Sequence, residues 1–191
     1  DVFSSFLVEM DFPDAKLKLS PLPPVPDEAP MPPALLSVSP VAANLHNRYI
    51  APEMKGYTPI FRFGHQLLVA TAVNNSPPVL FMIDTGAFDN QIAPDMARAY
   101  TKVREETNLT VRGLSGKVDK VYTADNVTLR FGHLEQVRHN LVAWDLSSIS
   151  DSMGVEISGI LGFHMLRLLD VKIDYRDGLV EFGFDPARAR F

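Results

Sequence analysis

One stretch of this chain occurs twice. Val2 to Leu19 matches Met165 to Phe182 without a gap, so that Val8, Asp11 and Asp14 recur 163 positions on as Val171, Asp174 and Asp177. Phe3, Phe6, Met10, Phe12, Leu17 and Leu19 fall opposite Leu166, Leu169, Ile173, Tyr175, Val180 and Phe182, apolar for apolar. Both copies read as the end of a short helix followed by a β-hairpin with the same inward-facing positions, because side chains along a strand alternate between its faces. A lone hairpin cannot bury its apolar face. The copy at 1–19 is therefore expected to be the C-terminal helix end and hairpin of a preceding related lobe.

The rest of the chain divides by composition. Ser20 to Pro33 is too rich in proline for a helix interior or a central strand, and opens a linker and connector expected over 20–56. An SH3-type or WW-type ligand would want flanking basic residues, which are missing, so a spacer is the better reading. A second lobe is expected over 57–185, with a short tail at 186–191. With 46% hydrophobic and 21% charged residues, the 191-residue chain has material for one compact core plus appendages.

Within 57–185 the pattern is of many short strands. Phe61–Phe63 and Gln66–Val73 flank a Gly64-His65 turn, and Val79 to Ile83 is a wholly apolar run suited to a strand buried on both faces. Pro94 to Tyr100 reads as one short helix with proline in its first turn. Strands are expected again at Val118–Tyr122, Val127–Phe131 and Val137–Trp144, then a polar loop over Asp145–Ser152. Ile157–Gly162, a brief helix at Phe163–Leu168, and strands Asp170–Tyr175 and Leu179–Phe184 joined across Arg176-Asp177-Gly178 complete the lobe. This is an all-β pattern.

Composition removes several classes of function. A formal charge of −5 from 18 basic and 23 acidic side chains leaves no polybasic block, so no nucleic-acid partner is expected. No cysteine is present, which excludes a disulfide framework, a thiol nucleophile and a thiolate metal site, and leaves the redox compartment open. His46, His65, His133, His139 and His164 show no metal-ligand spacing, so neither metal nor cofactor is expected. No nucleophile elbow supports Ser-His-Asp chemistry. Asn108-Leu109-Thr110 and Asn126-Val127-Thr128 fit the glycosylation sequon, which carries little meaning without the cell. No apolar stretch reaches the roughly 20 residues that span a bilayer. The start at Asp1-Val2-Phe3, neither an initiator methionine nor a basic signal region, is expected to reflect cleavage or a chosen boundary, with an exported location slightly favoured.

Chemistry concentrates in Phe81-Met82-Ile83-Asp84-Thr85-Gly86-Ala87. A carboxylate is expected at the end of a buried strand, where Gly86 lets the chain turn sharply and the Thr85 hydroxyl can hold the turn. Gly113-Leu114-Ser115-Gly116, between Arg112 and Lys117, reads as a hairpin tip that could cover a cleft or be an ordinary surface hairpin. Ile160-Leu161-Gly162, before a short helix, reads on its own as core packing.

Taken in order, these three motifs resemble the retropepsin family, the retroviral-type aspartic proteases and their bacterial single-lobe relatives, over roughly Tyr57 to Phe184. The resemblance implies a closed β-barrel-like lobe of the acid-protease fold with one or two short helices. It implies that Asp84 is the catalytic aspartate with Thr85, Gly86 and Ala87 supporting its loop. It also makes Gly113, Leu114, Ser115 and Gly116 the flap, with Ile160, Leu161 and Gly162 packed beside the catalytic loop. Such enzymes need two carboxylates sharing one proton. This chain has a single Asp-Thr-Gly, so the second must come from a homodimer or from a related first lobe. Asp89 is too near along the chain to be that partner and is read as stabilising the loop or touching substrate.

Where pepsin-like enzymes usually carry Ser or Thr after the triplet, Ala87 offers no hydroxyl, which points to an activity optimum in mild rather than strong acid. The expected partner is a peptide or protein with extended apolar segments, and Phe88, Leu114 and Ile160 are candidate pocket walls that could equally be core. The competing reading is a noncatalytic peptide-binding or dimerisation module that keeps the fold. A product of self-processing would also fit the start at Asp1.

Overall fold

The computed structural model describes residues 2–25, 48–107, 112, 113, 116–118 and 120–188. Most of the expected linker, at 26–47, lies outside the described residues.

The N-terminal copy of the repeat forms β1 (Phe6–Asp11) and β2 (Lys16–Pro21). After it come β3 (Thr58–Phe63), β4 (Gln66–Val73), β5 (Val79–Asp84), β6 (Gln91–Ile92) and helix α1 (Pro94–Tyr100). The middle of the chain gives β7 (Val103–Glu106), β8 (Arg112–Gly113), β9 (Gly116–Lys117), β10 (Val121–Ala124) and β11 (Val127–Phe131). It continues through β12 (Leu134–Arg138), β13 (Leu141–Trp144) and helix α2 (Ser147–Met153). The chain closes with β14 (Gly159–Gly162), helix α3 (Phe163–Leu166), β15 (Leu169–Asp174) and β16 (Leu179–Phe184). No helix among the described residues is long and apolar enough to cross a membrane.

The fold is all-β, as expected, but the barrel does not close. One sheet runs β2-β1-β15-β16-β3-β4-β5-β14-β6-β13-β10-β7, and its two end strands do not meet among the described residues. The path ends on β2, which pairs with β1 alone, and on β7, which pairs with β10 alone, among the described residues; within the path β4 is shared. Its eight residues are long enough to serve two neighbours on one edge, β3 along 66–69 and β11 along 71–73, while β5 takes the other edge.

Two apolar clusters lie on the two faces of β4 and β5. Val69 and Phe81 enter the larger, with Phe131, Leu161 and Phe182, and Leu68 and Met82 enter the smaller, with Leu146, Ile157 and Ile160. This double burial accounts for the unbroken apolar run of β5. Phe131 and Phe182 meet edge to face at 5.2 Å. Burying a side chain of that size contributes about 1.5–3 kcal/mol.

Three local expectations fail. The strand expected at Val118–Tyr122 is found instead as β10, Val121–Ala124, with residues 118 and 120 outside any strand. The expected loop over 145–152 is largely helical, as α2 (Ser147–Met153), because Leu146, Ile149 and Met153 present one apolar stripe to the smaller cluster. Asp145 Oδ1 accepts from Ser147 N at 2.9 Å at its start, and Gly154 ends it at φ 67°. The run Val137–Trp144 is not one strand: it takes in the end of β12 and all of β13, which have different neighbours, split where Asn140 takes φ 54°.

The repeat is visible as geometry. Val8 faces Leu19 and Met10 faces Leu17 in the first hairpin, as Val171 faces Phe182 and Ile173 faces Val180 in the second. Turn chemistry repeats too: Asp11 Oδ1 accepts from Asp14 N at 3.2 Å, and Asp174 Oδ1 from Asp177 N at 3.0 Å. The two hairpins are joined through β1 and β15, which run antiparallel. Arg188, from the tail, ion-pairs with Asp11 and Asp14 and holds the first hairpin from outside.

Candidate active site

Asp84 ends β5, half-buried rather than buried as the sequence suggested. The chain then turns back at once. Gly86 N donates to Asp84 Oδ1 at 2.8 Å and Ala87 N to Asp84 O at 3.3 Å. A β-carbon at Gly86 would lie 3.1 Å from Asp84 Oδ1, a tight contact that the carboxylate would have to relieve by a few tenths of an ångström. Thr85 is exposed, and its hydroxyl has no partner among the described residues; the carboxylate itself, not the hydroxyl, holds the turn.

From the other side the loop is pinned by the segment that the sequence marked as packing. β14 runs parallel to β5 with Gly162 opposite Asp84 and Leu161 opposite Ile83. Ile160 is buried in the smaller cluster and Leu161 in the larger. Phe163 N donates to Ala87 O at 2.7 Å and His164 N to Phe88 O at 2.8 Å, so the free amides at the start of α3 are satisfied by the loop. Only glycine fits at 162, where a β-carbon would stand 2.3 Å from Asp89 O.

Asn90 and Asp89 complete the clamp. Asn90, fully buried, accepts from Gly162 N at 2.8 Å through Oδ1 and donates from Nδ2 to Gln136 Oε1 at 2.6 Å. Asp89 Oδ1 accepts from Asn90 N at 2.8 Å, while its Oδ2 ion-pairs with Arg138. With both oxygens engaged, Asp89 stabilises the loop. Sequence reasoning missed Asn90, Gln136 and Arg138, since nothing local marks a polar residue as buried. Gly159 was also missed: a β-carbon there would come 2.2 Å from the Phe81 ring.

Of the three candidate pocket walls, Ile160 is core, Phe88 is 77% exposed beside His164, and Leu114 lies outside the described residues. Gly113 and Gly116 pair across β8 and β9 in a small hairpin separate from the main sheet, with Leu114 and Ser115 outside the described residues. Among the described residues no group of three or more acidic or histidine side chains could hold a metal ion.

The sequence matches the aspartyl protease family over residues 69–165, just over half of the chain, and the chain belongs to that family. The matched stretch takes in the Asp84 loop, β8 and β9, and β14. Among solved structures, it is similar to EIAV protease complexed with the inhibitor HBY-793, at 16% identity over 56% of this chain and 90% of that one, with a TM-score of 0.41. No curated protein matches the chain.

Proposed function

We propose that this chain carries one catalytic half of an aspartic endopeptidase, with Asp84 as one of two carboxylates that share a proton. The observation that carries the reading is the state of the Asp84 side chain. Its Oδ1 is held by Gly86 N, while its Oδ2 has no partner among the described residues and remains open to a reacting water or to a second carboxylate. The loop behind it is fixed at four points, by Phe163 N, His164 N, Asn90 and the Asp89–Arg138 pair. Such preorganisation keeps a carboxylate in place while charge moves.

The chemistry follows from two like charges that cannot both ionise at close range. The ionised member takes a proton from water as the water oxygen attacks the scissile carbonyl carbon. The protonated member gives its proton to the carbonyl oxygen. Collapse of the tetrahedral intermediate then breaks the C–N bond, with a proton passing to the leaving amine. The β8–β9 hairpin is the flap in this reading, closing over an extended apolar segment and pairing with its backbone. The rate maximum belongs in mild acid, above about pH 3.

A noncatalytic peptide-binding or dimerisation module stays as the second reading, because the chain holds a single Asp-Thr-Gly. A random peptide library offered to the full-length protein, with and without a pepstatin-like inhibitor, separates the two. Cleavage that the inhibitor blocks supports the endopeptidase; binding of peptides without cleavage supports the module.

A further inference from the structure

We propose that α2 is a removable cover: Ile149 and Met153 rest on the apolar floor beside Asp84, in the place that an apolar side chain of a peptide substrate takes when the helix lifts away.

The floor follows from strand alternation. Side chains along β5 point to its two faces in turn, so Leu80, Met82 and Asp84 share one face while Val79, Phe81 and Ile83 share the other. Phe81 lies in the larger apolar cluster with Val79 and Ile83 packed against it, and Met82 lies in the smaller with Leu80 packed against it. Asp84 therefore stands on the side of the smaller cluster. The register widens the floor on both sides of β5, since Met82 lies opposite Leu68 on β4 and opposite Ile160 on β14. Ala87, from the Asp84 loop, packs against the same cluster. Floor and carboxylate are continuous. An extended peptide laid across Asp84 would set a side chain on this floor, because its own side chains alternate toward and away from the sheet.

In this structure the floor is occupied. Leu68, Met82 and Ile160 are 0%, 6% and 3% exposed. Leu146 and Ile157, with the partly buried Ile149, Met153 and Val155, complete the cluster, and all five come from the segment that carries α2.

The cover is lightly held between two firm feet. Leu146 and Ile157 are both buried. Before the first foot, Trp144 Nε1 donates to Gln91 Oε1 at 2.7 Å; after the second, Ser158 N donates to Leu80 O at 2.9 Å. Between the feet, the seven residues of α2 include four serines and no buried side chain. A helix this short has no stability of its own and depends on what it packs against. Ser150 ties the returning chain, accepting from Ile157 N at 3.0 Å through Oγ and from Val155 N at 3.3 Å through its carbonyl. A segment with half-buried contacts opens at a lower free energy than the sheet beneath it.

Two sets of substitutions loosen the cover without touching the floor. Ile149→Ser with Met153→Ser removes the stripe, and the milder Ser150→Ala removes the side-chain tie to Ile157 N. In both, hydrogen exchange is expected to quicken across 147–154 and carbene footprinting to label Met82 and Ile160 more heavily, while β5 and β14 keep their protection. Loss of protection in β5 and β14 together with α2, or unchanged labelling of Met82 and Ile160, would overturn the cover. For the occupant, a random peptide library is offered to the full-length Asp84→Asn protein with and without the paired serine substitutions, so that bound peptides stay intact. The opened form is expected to retain several-fold more peptide, enriched at one position in Leu, Ile, Met or Phe. Equal retention, or retention without that enrichment, would overturn the assignment of the floor to substrate. That assignment rests on Asp84 as the centre of the site proposed above, whereas exchange and footprinting read the cover alone. Peptide binding without cleavage by the Asp84 protein would count against the endopeptidase and leave the cover standing.

Discussion

Gly162 sits directly opposite Asp84 across the parallel pairing of β5 and β14, and its missing side chain leaves the space that the Asp84 loop occupies. The loop and the strand are thus one unit. What the aspartate needs from the fold is a fixed position, and the fold supplies it through backbone contacts on the far side of the loop.

Gly162→Ala is expected to push the loop off β14, since the new β-carbon meets Asp89 O at 2.3 Å and Ala87 O at 3.0 Å. Overpacking of this kind costs about 1–3 kcal/mol. Both the denaturation midpoint and peptide cleavage should fall, and a variant with unaltered midpoint and rate would show that this contact does not position the loop.

Asn90→Ala removes the acceptor of Gly162 N and the donor to Gln136 Oε1 together. Leaving a buried amide unsatisfied costs about 1–3 kcal/mol. Asn90→Asp keeps the acceptor for Gly162 N, so its cleavage rate should lie above that of the alanine variant. Urea denaturation alongside cleavage rates checks the order.

Asp174 predicts a pH dependence of stability. Its carboxyl is buried, with Oδ2 unsatisfied, and burial raises its pKa above the usual 3.8 against the lowering effect of hydrogen bonds from Asp177 N and Arg176 N. Between the unfolded and the raised folded value the native state holds more protons, so stability falls as pH rises through that window and then levels. Asp174→Asn should lose this component and flatten the curve of denaturation midpoint against pH from about 4 upward, relative to the ordinary carboxylate range. Superimposable slopes for the two proteins would contradict it.

Much of this arrangement was legible in the residues. Pro94–Tyr100 and Leu179–Phe184 hold to the residue, since proline at a helix start and an Asp-Gly turn before a strand are local signals. Helix α2 was not legible, because its stripe of Leu146, Ile149 and Met153 is diluted by serines and only the smaller cluster gives it a reason to fold. Strand β7 escaped for a like reason: Val103–Glu106 is polar and exists by pairing with β10. In the candidate site, the Asp84 loop was visible because Asp84, Thr85 and Gly86 are consecutive residues. Asn90 and Gln136 were not, since they lie 46 positions apart and meet only once β12 is in place. That β4 shares one edge between two strands is likewise announced by no local pattern.

The central claim is that the Asp84 carboxylate takes part in bond cleavage. The direct measurement is peptide cleavage by the full-length protein beside its Asp84→Asn form, in mild acid, with thermal denaturation of both to confirm folding. Because Asn preserves size and the acceptor for Gly86 N, the two should melt alike while the variant loses cleavage by orders of magnitude. Equal cleavage by two equally folded proteins would contradict the account.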